Sequence, residues 1–137
     1  MANEATLIVE LESPINFTIA NLGGISKGAL LKLVDPMTAS GAGMANANIA
    51  GIAATEKISN DGTTKLGIYR RGIFKMSLSG AANVGDSLKA DASLNYVRVA
   101  GLATDSSVAR IIGHALETGA NNETILVAVN IGAGGQS

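Results

Sequence analysis

Three neighbouring stretches decide the fold: Gly51-Ile-Ala-Ala-Thr-Glu56, Gly72-Ile-Phe-Lys-Met-Ser77 and Val84-Gly-Asp-Ser-Leu-Lys89. Each sets a short apolar run beside a glycine or a polar turn, and none gathers reactive side chains. In the second, Phe74, Met76 and Leu78 fall on one side of an extended chain and Lys75 and Ser77 on the other, the period of two that a half-buried strand imposes. The pattern predicts an all-β module, a small β-sandwich or β-barrel of short strands.

Towards the N-terminus the same period returns. Leu7, Val9 and Leu11 share one face of residues 6–11, and Thr6, Ile8 and Glu10 share the other. Pro14 ends that ladder because it has no N–H to donate. The position at a terminus makes residues 1–14 an N-terminal arm free to pair with something other than its own barrel. Residues 15–131 then form a single β domain, and the glycine-rich residues 132–137 a flexible tail.

Within the domain, strands are predicted at 15–20, 29–34, 49–55, 65–71, 73–78, 87–90, 96–100, 108–116 and 124–131, with an Ala-rich helix over 44–55 as the alternative to the third. Asp61-Gly62 is a hairpin signal, and residues 117–123 join the last two strands. Gly72 marks a bulge or bend. Residues 38–48, rich in Ala, Gly, Ser and Asn, have no period and are predicted as loop. No internal repeat and no linker is read.

At 137 residues the chain is long enough for one core and too short for two ordinary domains. Hydrophobic residues make up 47% but aromatics only 3%, so the core must be built from Ala, Val, Ile and Leu. Aromatic side chains supply the largest single burials in small domains. With two Phe, two Tyr and no Trp, and a mean hydropathy of +0.30, the chain is expected to bury more surface by assembling with copies of itself.

A net charge of -1 and no basic cluster larger than Arg70-Arg71 argue against nucleic acid as a partner. The absence of cysteine excludes disulfides and thiolate metal sites. No run approaches the roughly 20 apolar residues of a membrane helix, and the first residues lack the basic, apolar character of a secretory signal. A soluble protein made in a cytoplasm, with no membrane partner, is expected.

The candidates for chemistry are weak. Gly24-Ile-Ser-Lys-Gly28 spells a nucleophile elbow, and Ser26, Asp91 or Asp105, and His114 stand in triad order. That motif needs a strand-to-helix turn in a doubly wound sheet, which this chain has neither the length nor the alternation to build. A glycine-bounded turn is the simpler reading of Ser26. His114, the single histidine, cannot complete a zinc site alone and is read as a strand or interface residue.

Gly41-Ala-Gly-Met-Ala-Asn is half a dinucleotide fingerprint without its third glycine or its helix. Asp86, Asp91, Asp105, Glu117 and Glu123 are spread among turns and do not follow a calcium-loop spacing. Asn16 and Asn122 open formal glycosylation sequons, irrelevant without secretion. Arg70 and Arg71 point to opposite faces of one strand, where one of them can make an intersubunit ion pair. No catalytic, cofactor-binding or metal-binding residue is assigned, and no cofactor is expected.

One resemblance organises these pieces. The order Gly24-Ile-Ser-Lys-Gly-Ala-Leu-Leu-Lys-Leu-Val-Asp35, Ile49-Ala-Gly-Ile-Ala-Ala-Thr55, Gly67-Ile-Tyr-Arg-Arg-Gly-Ile-Phe-Lys-Met76, Val84-Gly-Asp-Ser-Leu-Lys89, Ile112-Gly-His-Ala-Leu-Glu117 and the closing strand 124–130 resembles the head decoration, or capsid cement, proteins of tailed bacteriophages. The resemblance spans most of residues 5–131.

The resemblance implies a β-rich protein that binds the outer surface of an assembled virion head as a homotrimer, with the major capsid protein as partner. Its work would be mechanical, holding the shell against the pressure of packaged DNA, with no catalytic residue. In that setting Thr6, Leu7, Ile8, Val9, Glu10 and Leu11 are the expected capsid-binding residues, acting by strand addition. Arg70, Arg71 and His114 are the expected oligomer interface. A phage fibre or receptor-binding β-module is the main alternative, although few aromatics are present to stack on sugars. A small serine hydrolase built on Ser26 is a more distant one.

Overall fold

Alternating apolar residues carry the described part of the chain through eleven strands. They are β1 (Thr6–Glu10), β2 (Ile15–Thr18), β3 (Leu30–Asp35), β4 (Thr38–Ser40), β5 (Ile49–Ala53), β6 (Lys65–Tyr69), β7 (Arg71–Leu78), β8 (Ser87–Ala90), β9 (Tyr96–Val99), β10 (Ile111–Ala115) and β11 (Thr124–Asn130). The computed structural model describes residues 4–21, 23–35, 37–41, 48–91, 95–100 and 110–131, with no α-helix among them. Met44, Asp105, Val108 and the predicted tail 132–137 lie outside the described residues.

The all-β expectation holds, and of sandwich and barrel the chain builds barrels. β2, β4, β3, β5 and β6 close into one. The remaining strands form a six-stranded sheet, ordered β1-β7-β11-β10-β8-β9, which closes through a parallel β7–β9 pairing and leaves β1 as an added strand on β7. Thr38–Ser40 departs from the predicted loop: β4 is short and small-chained, and it exists because it pairs with both β2 and β3.

The two barrels have the same topology, strand for strand. β2 pairs antiparallel with β6 and parallel with β4, as β7 pairs antiparallel with β11 and parallel with β9. β3 lies between β4 and β5, as β8 lies between β9 and β10. The correspondence reaches single residues. A bulge interrupts β3–β5 where Leu31↔Gly51 gives way to Lys32↔Ile49, and β8–β10 where Leu88↔Gly113 gives way to Lys89↔Ile111.

Lone bridges Ile25↔Lys57 and Ala82↔Gly119 occupy matching places. The Gly28 N–H donates to Ala53 O at 2.8 Å, and the Gly85 N–H to Ala115 O at 2.7 Å. Left-handed residues also match, Met37 with Asn95 and Asn60 with Asn122. The chain is therefore an internal duplication, which corrects the sequence reading of no repeat. Unequal loops hide it, because the matched strands do not recur at one spacing.

Gly51 and Gly113 show what the duplication preserves. A Cβ on Gly51 would collide with the Tyr69 carbonyl oxygen, and one on Gly113 with that of Ala128. Both glycines let the neighbouring backbone approach at the bulge, and no other residue fits there.

Each barrel has its own filling. Phe17, Ile19, Leu31, Ala50, Leu66 and Ile68 form the core of the first. The second is filled by residues that include Met76, Leu78, Leu88, Ile112, Ile125 and Val127. That second cluster extends outward to take in Leu30, Ile49 and Ile52 of the first barrel. β3 and β5 thus bury side chains on both faces, which is why Ile49–Ala53 is buried at every position. At burial worth about 25 cal/mol per Å², a shared apolar seam supplies what two aromatic-poor barrels lack singly.

The bulge or bend expected at Gly72 is not found: the strands part at Arg70, and Gly72 sits inside β7. Its missing Cβ leaves room for the Val9 carbonyl and the Phe74 ring, so the glycine serves the approach of β1 and does not bend the strand.

Candidate functional site

β1 pairs with β7 of its own chain, Thr6↔Lys75, Leu7↔Phe74, Val9↔Ile73 and Glu10↔Gly72. This departs from the expectation that the terminal strand leaves its own barrel: β7 offers it an edge, and Leu7 packs on the core cluster there. A bulge between Leu7 and Val9 shifts the register. An extra residue on one strand re-aims the side chains beyond it, so the predicted Leu7/Val9/Leu11 face does not persist. Leu7 is half-buried, while Ile8, Val9 and Leu11 are exposed, the outer two at 48% and 53%.

Among the described residues the other edge of β1 has no partner strand. An unpaired edge carrying exposed Ile8, Val9 and Leu11 is a template for another extended segment. Thr6 and Glu10 are exposed on the same strand, so all six residues assigned to capsid binding lie together on or just beyond β1. Ile15, 39% exposed, continues the apolar strip into the first barrel.

The internal duplication shows how unusual that cover is. Phe74 in β7 is 1% exposed where β1 pairs beside it, whereas Ile15, its counterpart in β2, is 39% exposed and has no such strand beside it among the described residues. Thr18 of β2 donates its N–H to Met37 O on the β4 side. By strand alternation the position of Pro14 faces the same side, and the edge lacks a donor there. The sequence therefore blunts one edge and leaves the β1 edge open.

Arg70 and Arg71 separate. Arg70 is half-buried at the β6–β7 junction, with its guanidinium carbon 6.0 Å from the centre of the Phe17 ring and its carbonyl accepting from the Ile131 N–H at 2.9 Å. Arg71 is exposed at the start of β7 opposite Asn130. His114 is half-buried in β10, between Ala128 of β11 and Ser87 of β8. Arg71 and His114 thus flank β11 on opposite sides, and the three expected interface residues do not form one cluster.

The features that suggested chemistry find structural uses. Ser26 lies in a turn whose carbonyl accepts from the Ala29 N–H at 3.0 Å and which leads into a strand, so the strand-to-helix elbow is missing. A cleft of about 270 Å³ beside it is lined by Gly24, Ile25, Ala29, Leu31 and Ala39 among others, none of them titratable. Among the described residues no three His, Asp or Glu side chains gather as a metal site. Among the same residues no helix is long and apolar enough to cross a membrane.

Lys57 is a buried charge missed in the sequence. Its Nζ donates to the carbonyls of Asn21 at 2.6 Å and Ile58 at 3.0 Å and lies 3.5 Å from Asp61, so it ties a turn of the first barrel. Asp61 in turn accepts from the N–H groups of Thr63 at 2.8 Å and Ile58 at 3.2 Å. These bonds, with the Thr63 N–H first, hold its carboxyl below the ordinary aspartate value. The matching position in the second barrel, Gly119, carries no charge, so Lys57 is not required by the fold as such.

Among the described residues the site therefore offers surface and no reactive group: an open apolar strand edge on a pair of barrels. Comparison with known proteins agrees with that character. No curated protein matches the chain. Among solved structures, the head fiber gp8.5 N base of bacteriophage phi29 is similar with a TM-score of 0.54 at 15% identity, covering 85% of this chain and 93% of that one. At that identity the likeness speaks for the fold. The model of the phage cement protein family matches residues 13–131, nearly the whole of both barrels, and this chain belongs to that family.

Proposed function

We propose that this protein decorates the outer surface of an assembled phage head as a homotrimer, seating the open edge of β1 on the major capsid protein and strengthening the shell against packaged DNA. The observation that carries the proposal is the exposed strip Ile8, Val9 and Leu11 on a strand whose outer edge meets no other strand among the described residues. Family membership and the head-fibre fold of the phi29 neighbour support a place on the head. The work is structural and non-enzymatic, a reading that membership of the cement protein family supports.

The mechanism is additive binding. Contacts that exist only when neighbouring capsid subunits are in place must be broken before the subunits part, so each bound copy stabilises the assembled shell over the open one. Joining copies in an oligomer raises the effective concentration of the second and third contacts, so modest strand-edge affinities add to firm attachment. β-strand addition supplies backbone hydrogen bonds, and the apolar strip supplies register.

The test leaves the fold intact. Removing β1 would uncover Phe74, so the double substitution Ile8→Glu with Leu11→Glu is used instead, both side chains being exposed. Occupancy on purified shells, measured by co-sedimentation, is expected to fall at least tenfold while folding is unchanged. Unaltered occupancy would remove β1 from the contact.

A further inference from the structure

The duplication sets two equivalent places side by side and fills them with opposite chemistry. The pair Ile15↔Ile68 in the first barrel answers Phe74↔Val127 in the second, so Arg70, two residues beyond Ile68, answers Val129. Phe74 and Val129 are buried in the cluster that Leu30, Ile49 and Ile52 of the first barrel complete. Asn95 Oδ1 fixes that contact between the barrels by accepting from the Leu30 N–H at 3.0 Å. At the matching place in the first barrel no such cover is found among the described residues: Ile15 is exposed and Arg70 half-buried.

The fold does not demand an arginine here, since a valine serves at the equivalent position. Alternation puts Arg70 on the inward side with Leu66 and Ile68, both in the first core, and its guanidinium carbon stands 6.0 Å from the centre of the Phe17 ring. Arg70 Nε is cut off from solvent, and among the described residues no acceptor meets it. Glu12, brought alongside by the registers Glu10↔Gly72 and Ile15↔Ile68, makes no ion pair with the guanidinium. A buried donor without an acceptor is a cost that the free protein carries and that a partner can relieve.

We propose that Arg70 receives a carboxylate of the head protein, an aspartate or glutamate side chain close to the segment that pairs with β1. The guanidinium edge made by Nε and the adjacent Nη presents two parallel donors, spaced for the two oxygens of a carboxylate. A carboxylate there supplies the countercharge and the acceptor that Nε lacks, with the Phe17 ring as an apolar wall. Position names the source. Leu11 and Ile15, both exposed, bracket the stretch of chain that runs past Arg70, so the guanidinium lies at the end of the apolar strip Ile8, Val9 and Leu11 assigned to the head. A nucleic-acid backbone is the poorer fit, because the adjacent Arg71 is exposed at the start of β7 and the net charge of the chain is -1.

This inference rests on the proposed seating of β1 and names one chemical group on the partner. Arg70→Met keeps an apolar stem against Phe17 and removes the unpaired donor, so its melting midpoint is expected at or above that of the wild type. Its occupancy on purified shells, measured by co-sedimentation, is expected to fall roughly tenfold or more and to depend less on salt than that of the wild type. Arg70→Gln, a second variant without the charge, is expected to lose occupancy likewise. With Arg70→Lys, carbodiimide treatment of decorated shells is expected to join position 70 to an aspartate or glutamate of the head protein, located by mass spectrometry. Wild-type occupancy of Arg70→Met and Arg70→Gln, while Ile8→Glu with Leu11→Glu still releases the protein, would overturn the carboxylate contact and leave the β1 seating standing. Unaltered occupancy in all three would overturn both. A cross-link from position 70 to another copy of this chain would overturn the head as the source of the carboxylate.

Discussion

Replacing Asn95 tests whether the two barrels are held by the contact described between them. Asn95→Gly removes the acceptor at 3.0 Å from the Leu30 N–H and keeps a residue suited to φ of 63°. The Leu30 N–H then sits in an apolar seam without that partner, at a cost of about 1–3 kcal/mol. Asn95→Ala loses the same bond and forces a Cβ into the left-handed region, a further penalty of about 1–2 kcal/mol. The expected order is therefore wild type, then Asn95→Gly, then Asn95→Ala, spanning about 2–5 kcal/mol for the last. In a chain of this size each kcal/mol lowers the melting midpoint by roughly 3–4 °C, so urea titration and thermal scans both resolve the series. A glycine variant within about 0.5 kcal/mol of wild type, the ordinary range for inconsequential surface changes, would show that this bond does not hold the barrels together.

Matched truncations probe the duplication. Leu31→Ala and Leu88→Ala, each at a fully buried and equivalent core position, are expected to cost about 2–5 kcal/mol each and to lower one cooperative transition, because the barrels share a cluster. Two separate transitions in fluorescence-independent probes such as circular dichroism would argue against that coupling. Gly113→Ala drives a Cβ into the Ala128 carbonyl and is expected to abolish soluble folded protein, whereas Gly62→Ala meets open space and costs about 1 kcal/mol through its positive φ; equal yields of the two would refute the close approach. For Asp61, whose native pKa is lowered from 3.8, the stabilisation is present above that ordinary value and is lost as the pH falls through the lowered one. Asp61→Asn is expected to flatten that part of the acid limb, and an unchanged limb in pH-dependent urea titrations would count against the Thr63 bond.

Much of the fold was legible because its strands obey period two. Phe74, Met76 and Leu78, and Ile125, Val127 and Val129, are buried as alternation requires. β4 was not legible, since Thr38–Ser40 has no apolar run and depends on partners distant in sequence. The bulge at Ile8 was equally silent, being set by how β1 meets β7.

The duplication left traces that a search by composition passes over. Gly28-Ala-Leu-Leu-Lys32 answers Gly85-Asp-Ser-Leu-Lys89, and Ile49-Ala-Gly-Ile-Ala53 answers Ile111-Ile-Gly-His-Ala115. Only backbone-critical glycines and one or two core positions persist, because any apolar residue of suitable volume satisfies the rest. The strand β1 itself was legible, since an apolar run of period two near a terminus announces itself. Arg70, Arg71 and His114 were not resolvable as a group, because alternation states which face a residue takes but not which barrel it meets. The β3–β4 corner falls where the predicted strand 29–34 gives way to the loop predicted from residue 38, and alternation alone says nothing of how such a junction folds.

The central claim is that the open edge of β1 seats this protein on a phage head, and imaging of decorated heads tests it most directly. A cryo-electron microscopy map at side-chain resolution is expected to show the barrels on the outer shell, with a capsid segment paired along Thr6–Glu10 and covering Ile8 and Leu11. A map in which that edge faces solvent, or heads that stay bare at saturating protein, would contradict it.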